Sequence, residues 1–569
     1  MPSHSRLAVL GRVVVLPLAL VLATVATLGS YYETSDDTSF AWLFSGVLAL
    51  KPVVSLPLFF HGYGHALAAA YTAAPHVPWL GLLTASLLAV ATTLTFAVLD
   101  KLLRPYLKPR ALVLALVAFY FLAWLEHWLW FSHVRVSILL AGAVLLFVAQ
   151  RPANRSALML GVAGIGAAWL IRPSLALFGF GLSVPAALLL ADNWRRLVPI
   201  LCTAALGLGL ATVMLSALQT DAESQMRQRD NYLARILDFD QLRPVPRTTA
   251  DSLGTAAVEQ WLLGDATLVN TAFVQRAYKF NSTDFLGRTL PAKLRLRAGL
   301  VARDYFPILL ALAAIIFGVL RQRQATTGFW LTQIGFGGIL FVFAGLLKLP
   351  PRIALPIFDF WLITNLVFWC RAVHFLASDG AKSTQDNLTQ KADFFLPKSL
   401  ASRWVGAGLA VLIVALYGVK NLHRYQVLQK EQKQHELALR EIAENSLPVG
   451  NRARIRVLAG TSDLLKSLSP FKTYSLGPGP VVMLSGWQSH DPSQAHLFQA
   501  LGGTPQSIAS LRQIARNAPN TQWLLTGESA YWLNRRFYFD AGGQPALILV
   551  PVRALAADTS LHYYRVVIR

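Results

Sequence analysis

Apolar runs long enough to cross a lipid bilayer recur along this chain from near its start to about residue 420, and no other feature limits its fold as severely. A helix rises 1.5 Å per residue, so roughly 20 apolar residues span the ~30 Å hydrocarbon layer, where only helices or closed barrels satisfy their own backbone. After a first run ending at Leu28, the runs read as 79–99, 111–131, 134–150, 156–171, 174–191, 197–217, 306–320, 328–348, 353–370 and 404–420, about eleven in all. At 569 residues, 54% of them hydrophobic, with a mean hydropathy of +0.47, the chain reads as an α-helical polytopic membrane protein. Arg6 and Arg12 precede the first run, as in a secretory signal peptide. That run is long for a signal peptide, and the expectation is an uncleaved signal anchor with a cytoplasmic N-terminus.

Charge orients the runs. Basic loops holding Lys101, Arg104, Lys108 and Arg110, then Arg151 and Arg155, Arg195 and Arg196, and Arg321 and Arg323 alternate with loops poorer in cations. The positive-inside rule puts the basic set in the cytoplasm and Arg135, Arg172, Lys348 and Arg352 outside. The net charge of +22 then belongs to loops facing anionic lipid, and with no stacked-aromatic or basic-helix motif nucleic acid is not an expected partner. Cys202 and Cys370, the only cysteines, lie within apolar runs, so neither a disulfide framework nor a zinc site is indicated.

The loop after the first run, 31–78, opens with Glu33, Asp36 and Asp37 and continues with Phe40, Leu43, Phe44, Val47 and Leu48 at amphipathic helical spacing. Such a helix lies on the membrane surface, with Ser35 or Asp36 as its cap and the aspartates at its positive end. Pro57 to Ala74, carrying His61 and His65, reads locally as a span or as a second surface helix. The surface reading is taken because a span there would carry the Lys101–Arg110 loop outside. A first span, an acidic pair in the first external loop, a surface helix ending in Ser45-Gly46, a proline, a second surface helix and only then the second span: this order resembles the GT-C class of membrane glycosyltransferases, over roughly residues 8 to 110 and topologically beyond.

The resemblance implies a polyprenyl-phosphate sugar donor, a glycan, lipid or protein acceptor, and transfer, of inverting type, on the external face of the cytoplasmic (inner) membrane. Such a reaction needs a base for the acceptor hydroxyl, cations for the departing phosphate and an apolar groove for the isoprenoid. Asp36 and Asp37 are the base candidates, Asp37 less favoured because it can turn into the helix; acting together, they would share a proton or a divalent ion such as Mg or Mn. The plain alternative is a helix cap and a solvated loop residue. For the phosphate the candidates are Arg352 first, then Arg172, Lys348 and Arg227 or Arg229, since arginine donates parallel hydrogen bonds to phosphate. Snorkelling to headgroups is the bland reading of each. Glu33, His61, His65, Glu126 and His127 are candidates for acceptor contact or cavity lining. Two histidines at i, i+4 are not a metal site by themselves.

Two soluble parts are expected outside: residues 218–305, helical and packed over the membrane face, and 421–569, a helix continuing the last span followed by a small α/β domain. The apolar runs RIRVLAG, PVVMLSGW, QWLLTGE, PALILVPV and YYRVVIR supply its strands. Trp487, Trp523, Tyr531 and Trp532 are read as sugar platforms or as core of that sheet. Glycosyl transfer is the leading function. A non-enzymatic polysaccharide transporter or assembly subunit, and a membrane sensor, are the alternatives; few mid-span carboxylates argue against the first, and the lack of a cytoplasmic output domain against the second.

Overall fold

The computed structural model describes residues 6–191, 193–322, 325–379, 400–445, 454–503, 507–518, 520–542 and 547–568. Helices lie at every predicted run. Among the described residues, eight are long and apolar enough to cross a membrane: Arg6–Leu28, Trp79–Leu103, Pro109–Leu129, Pro173–Leu190, Trp194–Ala217, Ser282–Arg321, Thr327–Leu346 and Pro351–Arg371. His133–Ala149 and Arg155–Ile171 are shorter apolar helices, and Leu400–Asn445 covers the last predicted run and continues beyond it as a polar helical arm. The chain is a multi-pass membrane protein. Arg12 is buried within the first helix, where its Nε donates to Asp100 of the second span at 2.6 Å. The first helix is thereby bolted to the bundle at the end carrying the first basic loop.

At the opposite end lies the acidic loop. Its first helix runs Ser35–Ser45, with Thr34 at the N-cap position, one residue before the expected Ser35 and without a side-chain cap hydrogen bond. It stops at Gly46, whose φ of 79° suits glycine and whose missing side chain would meet Pro52 N at 3.1 Å. The second helix is Tyr63–Ala73, with 11 residues. At 1.5 Å per residue it is about 16 Å long, half of what a crossing needs, so it can lie only on the surface. Strand β1 (Tyr31–Tyr32) pairs in parallel with β2 (Trp130–Phe131), fastening the acidic loop to the third span.

The segment expected over 218–305 joins a membrane helix sooner than expected. Ser282–Arg321 is one 40-residue helix, so 282–305 belongs to a rod about twice the hydrocarbon thickness rather than to a separate loop. Before it come the helices Asp221–Leu237, Thr249–Glu259 and Thr271–Ala277, and an antiparallel pair of β3 (Leu242–Pro244) with β4 (Tyr278–Phe280).

In the C-terminal part, β5 (Arg456–Ala459), β6 (Val481–Met483), β7 (Gln522–Thr526), β8 (Leu547–Ala554) and β9 (Leu561–Ile568) form one sheet in the order β6-β5-β7-β9-β8. The first three are parallel; β8 and β9 run antiparallel. The part before Ser282 and the C-terminal part share a core: Leu233, Leu253, Val258 and Phe273 pack with Val457, Val482, Trp523 and Leu549. Trp523 and Trp532, at 1% and 3% exposure, are core, whereas Tyr531 is 64% exposed. This body clamps the acidic loop. Thr38 Oγ1 donates to Leu465 O at 2.9 Å, Trp42 Nε1 to Tyr474 O at 2.9 Å, and Gln494 Nε2 to Leu48 O at 2.7 Å.

Candidate active site

Between the membrane helices and the body formed by 221–280 and the C-terminal sheet lies a cavity of about 880 Å³. Its floor is made by Glu33, Asp36 and Phe40 of the acidic loop, the Leu56–Phe59 segment, Arg172, Lys348 and Arg352. The Asp221–Leu237 helix contributes Asp230 to one wall, and Asp238 follows its end. Loops of the C-terminal sheet close the top.

Adjacent residues on a helix diverge by about 100°, so Asp36 and Asp37 take different surroundings. Asp37 is 2% exposed and turned away from the cavity. Its Oδ1 accepts from the backbone N of His133 at 3.0 Å and lies 2.7 Å from His133 Nδ1, and its Oδ2 accepts from Thr34 Oγ1 at 3.1 Å. Phe40, Phe59 and Phe60 pack on the His133 ring at centroid distances of 5.3, 5.5 and 5.7 Å. Asp37 therefore joins the starts of two helices. With both of its oxygens engaged, it does not converge with Asp36 on a shared proton or ion. Asp37→Ala should lower stability by ~1–3 kcal/mol, the cost of an unsatisfied buried donor. A melting midpoint equal to that of the native protein would remove this joint.

Asp36 lines the cavity and accepts no hydrogen bond from the described residues. Burial pushes its carboxyl above the ordinary carboxylate range, and Asp37 and Asp238 push the same way against the pull of Arg352 and His133. A carboxylate held with a raised proton affinity and without partners is a competent base.

The cations around it are held in three ways. Arg352 donates its backbone N to Glu33 Oε1 at 3.1 Å and places Nη1 3.5 Å from the same oxygen. Arg172 lays its guanidinium over the Phe59 ring, 4.8 Å from the centroid, and makes no side-chain hydrogen bond among the described residues. Lys348 Nζ donates to Asp238 Oδ1 at 2.6 Å. Glu33 is itself fixed by Arg135, whose Nε and Nη2 both reach Oε2, at 3.0 and 2.8 Å. Among the described residues, no group of three or more His, Cys, Asp or Glu is placed to hold a metal ion.

No protein-family model matches the chain, and no curated protein matches it in sequence. Among solved structures it is similar to ArnT from Cupriavidus metallidurans bound to undecaprenyl phosphate, with a TM-score of 0.46 and 13% identity over 97% of each chain.

Other predicted site residues lie elsewhere. Arg227 is outside the cavity, donating from Nη1 to Ser216 Oγ at 2.6 Å. Arg229 also lies off the lining. His61 lies in the turn before the Tyr63–Ala73 helix and packs near Trp169, 6.1 Å between centroids, where burial with the neighbouring Arg227 pushes its pKa down; His65 is exposed on the helix itself. The expected i, i+4 pairing on one helix is absent because the helix starts only at Tyr63, and neither histidine lines the cavity. Glu126 and His127 are fully buried beneath it. Glu126 Oε1 receives Lys420 Nζ at 2.7 Å and lies 2.9 Å from Arg424 Nη1, while His127 Nε2 lies 2.6 Å from Asp359 Oδ2 and its Nδ1 3.3 Å from Arg135 Nη1. This ionic layer ties the last helix to the third span and props Arg135 under Glu33. A burial cost of this size is met only by pairing, which is what these groups do for one another.

Proposed function

We propose that this chain transfers a sugar from a polyprenyl-phosphate carrier to the hydroxyl of a glycan, lipid or protein acceptor on the external face of the cytoplasmic membrane, the reading its first loop suggested through the GT-C resemblance. What supports it most is one cavity at the membrane edge that sets an unpartnered carboxylate, Asp36, among Arg172, Lys348 and Arg352. The acceptor O–H attacks the anomeric carbon, its proton passes to Asp36, and the bond from that carbon to the phosphate oxygen breaks with its electron pair going to phosphate. Arg352 and Arg172 donate to the phosphate as that charge develops. Phe40, Leu43, Leu56 and Phe59 give the first isoprene units an apolar wall.

Arg352→Ala keeps the backbone bond to Glu33 and removes only the guanidinium. Donor-lipid affinity should fall by ~2–3 kcal/mol, the loss of a charge-assisted contact. The same change removes a positive charge that draws the Asp36 proton affinity down. The base works deprotonated, so kcat/KM rises with pH through the Asp36 pKa, and this acid limb should move to higher pH in the variant. Native donor affinity together with an unmoved limb would take Arg352 out of the site.

A further inference from the structure

The roof of the cavity is built differently from its floor. Strand β5 passes to β6 on one side, and the chain then returns to place β7 on the other side of β5. In such parallel sheets the connections diverge at the carboxyl ends and leave a crevice there, which is where ligands bind. The loops leaving all three strands open into the cavity: Gly460 and Ser462 after β5, Ser485 to Gln488 after β6, Glu528 and Ser529 after β7. β5 and β7 are in close contact at that point, since a side chain on Gly460, at φ 73°, would come within 2.5 Å of Thr526.

Trp261 adds a second, independent observation. It lies in the large external loop with φ at 57°, a left-handed conformation that is a strained outlier for a bulky residue. Gly486 N donates to Trp261 O at 2.9 Å, tying that strained backbone to the loop after β6. The Trp261 and Trp487 rings lie edge to face, 5.8 Å apart, both on the cavity wall. Around them stand hydroxyls, an amide and the exposed carboxylate of Glu528.

The charge of the roof selects its ligand. Its one cation, Lys466, is paired with Asp463, while Glu528 sits in the first turn of the Gly527–Asp540 helix and counters its positive end. An anion is disfavoured there. Indole faces with hydroxyl, amide and carboxylate acceptors suit an uncharged sugar, which has apolar C–H faces and a rim of hydroxyl donors.

We propose that the crevice at the carboxyl ends of β5, β6 and β7 binds a neutral, hydroxyl-rich saccharide, packed on Trp487 and hydrogen-bonded by Ser462, Gln488 and Glu528, as the acceptor. The acceptor role rests on the transfer reading above; the saccharide site does not. One cavity then holds the donor phosphate at a cationic floor and the acceptor at a neutral to acidic roof, and Asp36 takes the proton from the acceptor hydroxyl that reaches it.

The test is saturation-transfer NMR on the full chain in nanodiscs with a panel of neutral oligosaccharides, and with glycerol phosphate as the anionic probe. The expected result is transfer to at least one neutral oligosaccharide, with affinity about tenfold weaker in both Trp487→Ala and Glu528→Ala, while any glycerol phosphate signal, which belongs to the cationic floor, is the same in both variants as in the native chain. Glu528 is exposed, so its variant folds even if the tryptophan variant does not. No signal from any neutral sugar, or an undiminished signal in folded Glu528→Ala and Trp487→Ala, overturns the proposal. Saccharide binding without turnover of any polyprenyl-phosphate sugar supports the crevice and removes the transfer reading. Turnover with an unchanged acceptor KM in both variants does the reverse.

Discussion

Asp36→Asn is expected to give a folded, inserted protein that transfers sugar about a hundred to ten thousand times more slowly than the native chain, the usual contribution of a positioned base. The substitution keeps the size and polarity of the side chain and removes only its ability to take a proton. Stability should move the other way. Burial makes Asp36 bind its proton more tightly in the folded chain than in the unfolded one. Its ionisation therefore costs stability as pH rises from the unfolded to the folded pKa, and that cost persists above both. Asparagine never ionises, so at neutral pH the variant should melt no lower than the native protein. A variant that is slow and also much less stable would mean that Asp36 acts through structure. Thr34 holds the N-cap position of this helix, and Asp36 makes no cap hydrogen bond among the described residues, so loss of a cap does not explain slow turnover.

The largest expected loss of stability follows from Arg135→Met. Arg135 is 0% exposed and contacts Glu33, His127 and the backbone oxygen of Glu126. Removing it leaves the Glu33 carboxylate buried without its main partner, a change that costs ~3–5 kcal/mol. The double variant Arg135→Met, Glu33→Met removes both charges and should recover most of that loss, because apolar replacement of a whole buried pair is close to neutral. Donor binding should stay impaired in the double variant, since Glu33 also holds the backbone of Arg352. Thermal midpoints in detergent check this. A single variant that melts like the native protein would show that the Glu33–Arg135 pair does not hold the floor of the site.

Local patterns carried the fold a long way. Apolar runs located the helices because crossing hydrocarbon leaves a helix no freedom in length or polarity. The alternation of basic loops put Arg172, Lys348 and Arg352 on one face, and the cavity gathers these three with Asp36. What stayed hidden depends on partners far away in sequence. Arg135 reads as one more loop cation, yet it pairs across 102 positions with Glu33. Glu126 reads as the polar end of a span, yet its charge is met by Lys420, 294 positions on. No periodicity encodes such pairings. The strands of the C-terminal sheet were legible as apolar runs, but Gly460, Gly486 and Glu528 at their carboxyl ends were not, because the strand order that brings those ends together exists only in the folded sheet. The early start of Ser282–Arg321 was missed because a helix leaving the membrane changes its surface polarity, not its backbone.

The central claim is that one cavity carries out a polyprenyl-phosphate-dependent transfer, and turnover measures it most directly. Purified protein in nanodiscs would be given a panel of radiolabelled polyprenyl-phosphate sugars and neutral oligosaccharide acceptors, with released polyprenyl phosphate and labelled product counted together. The account predicts that at least one donor yields both in equal amounts with the native chain, and that Asp36→Asn, inserted and folded, yields neither above background. Equal turnover by the native chain and the Asp36→Asn variant would contradict it.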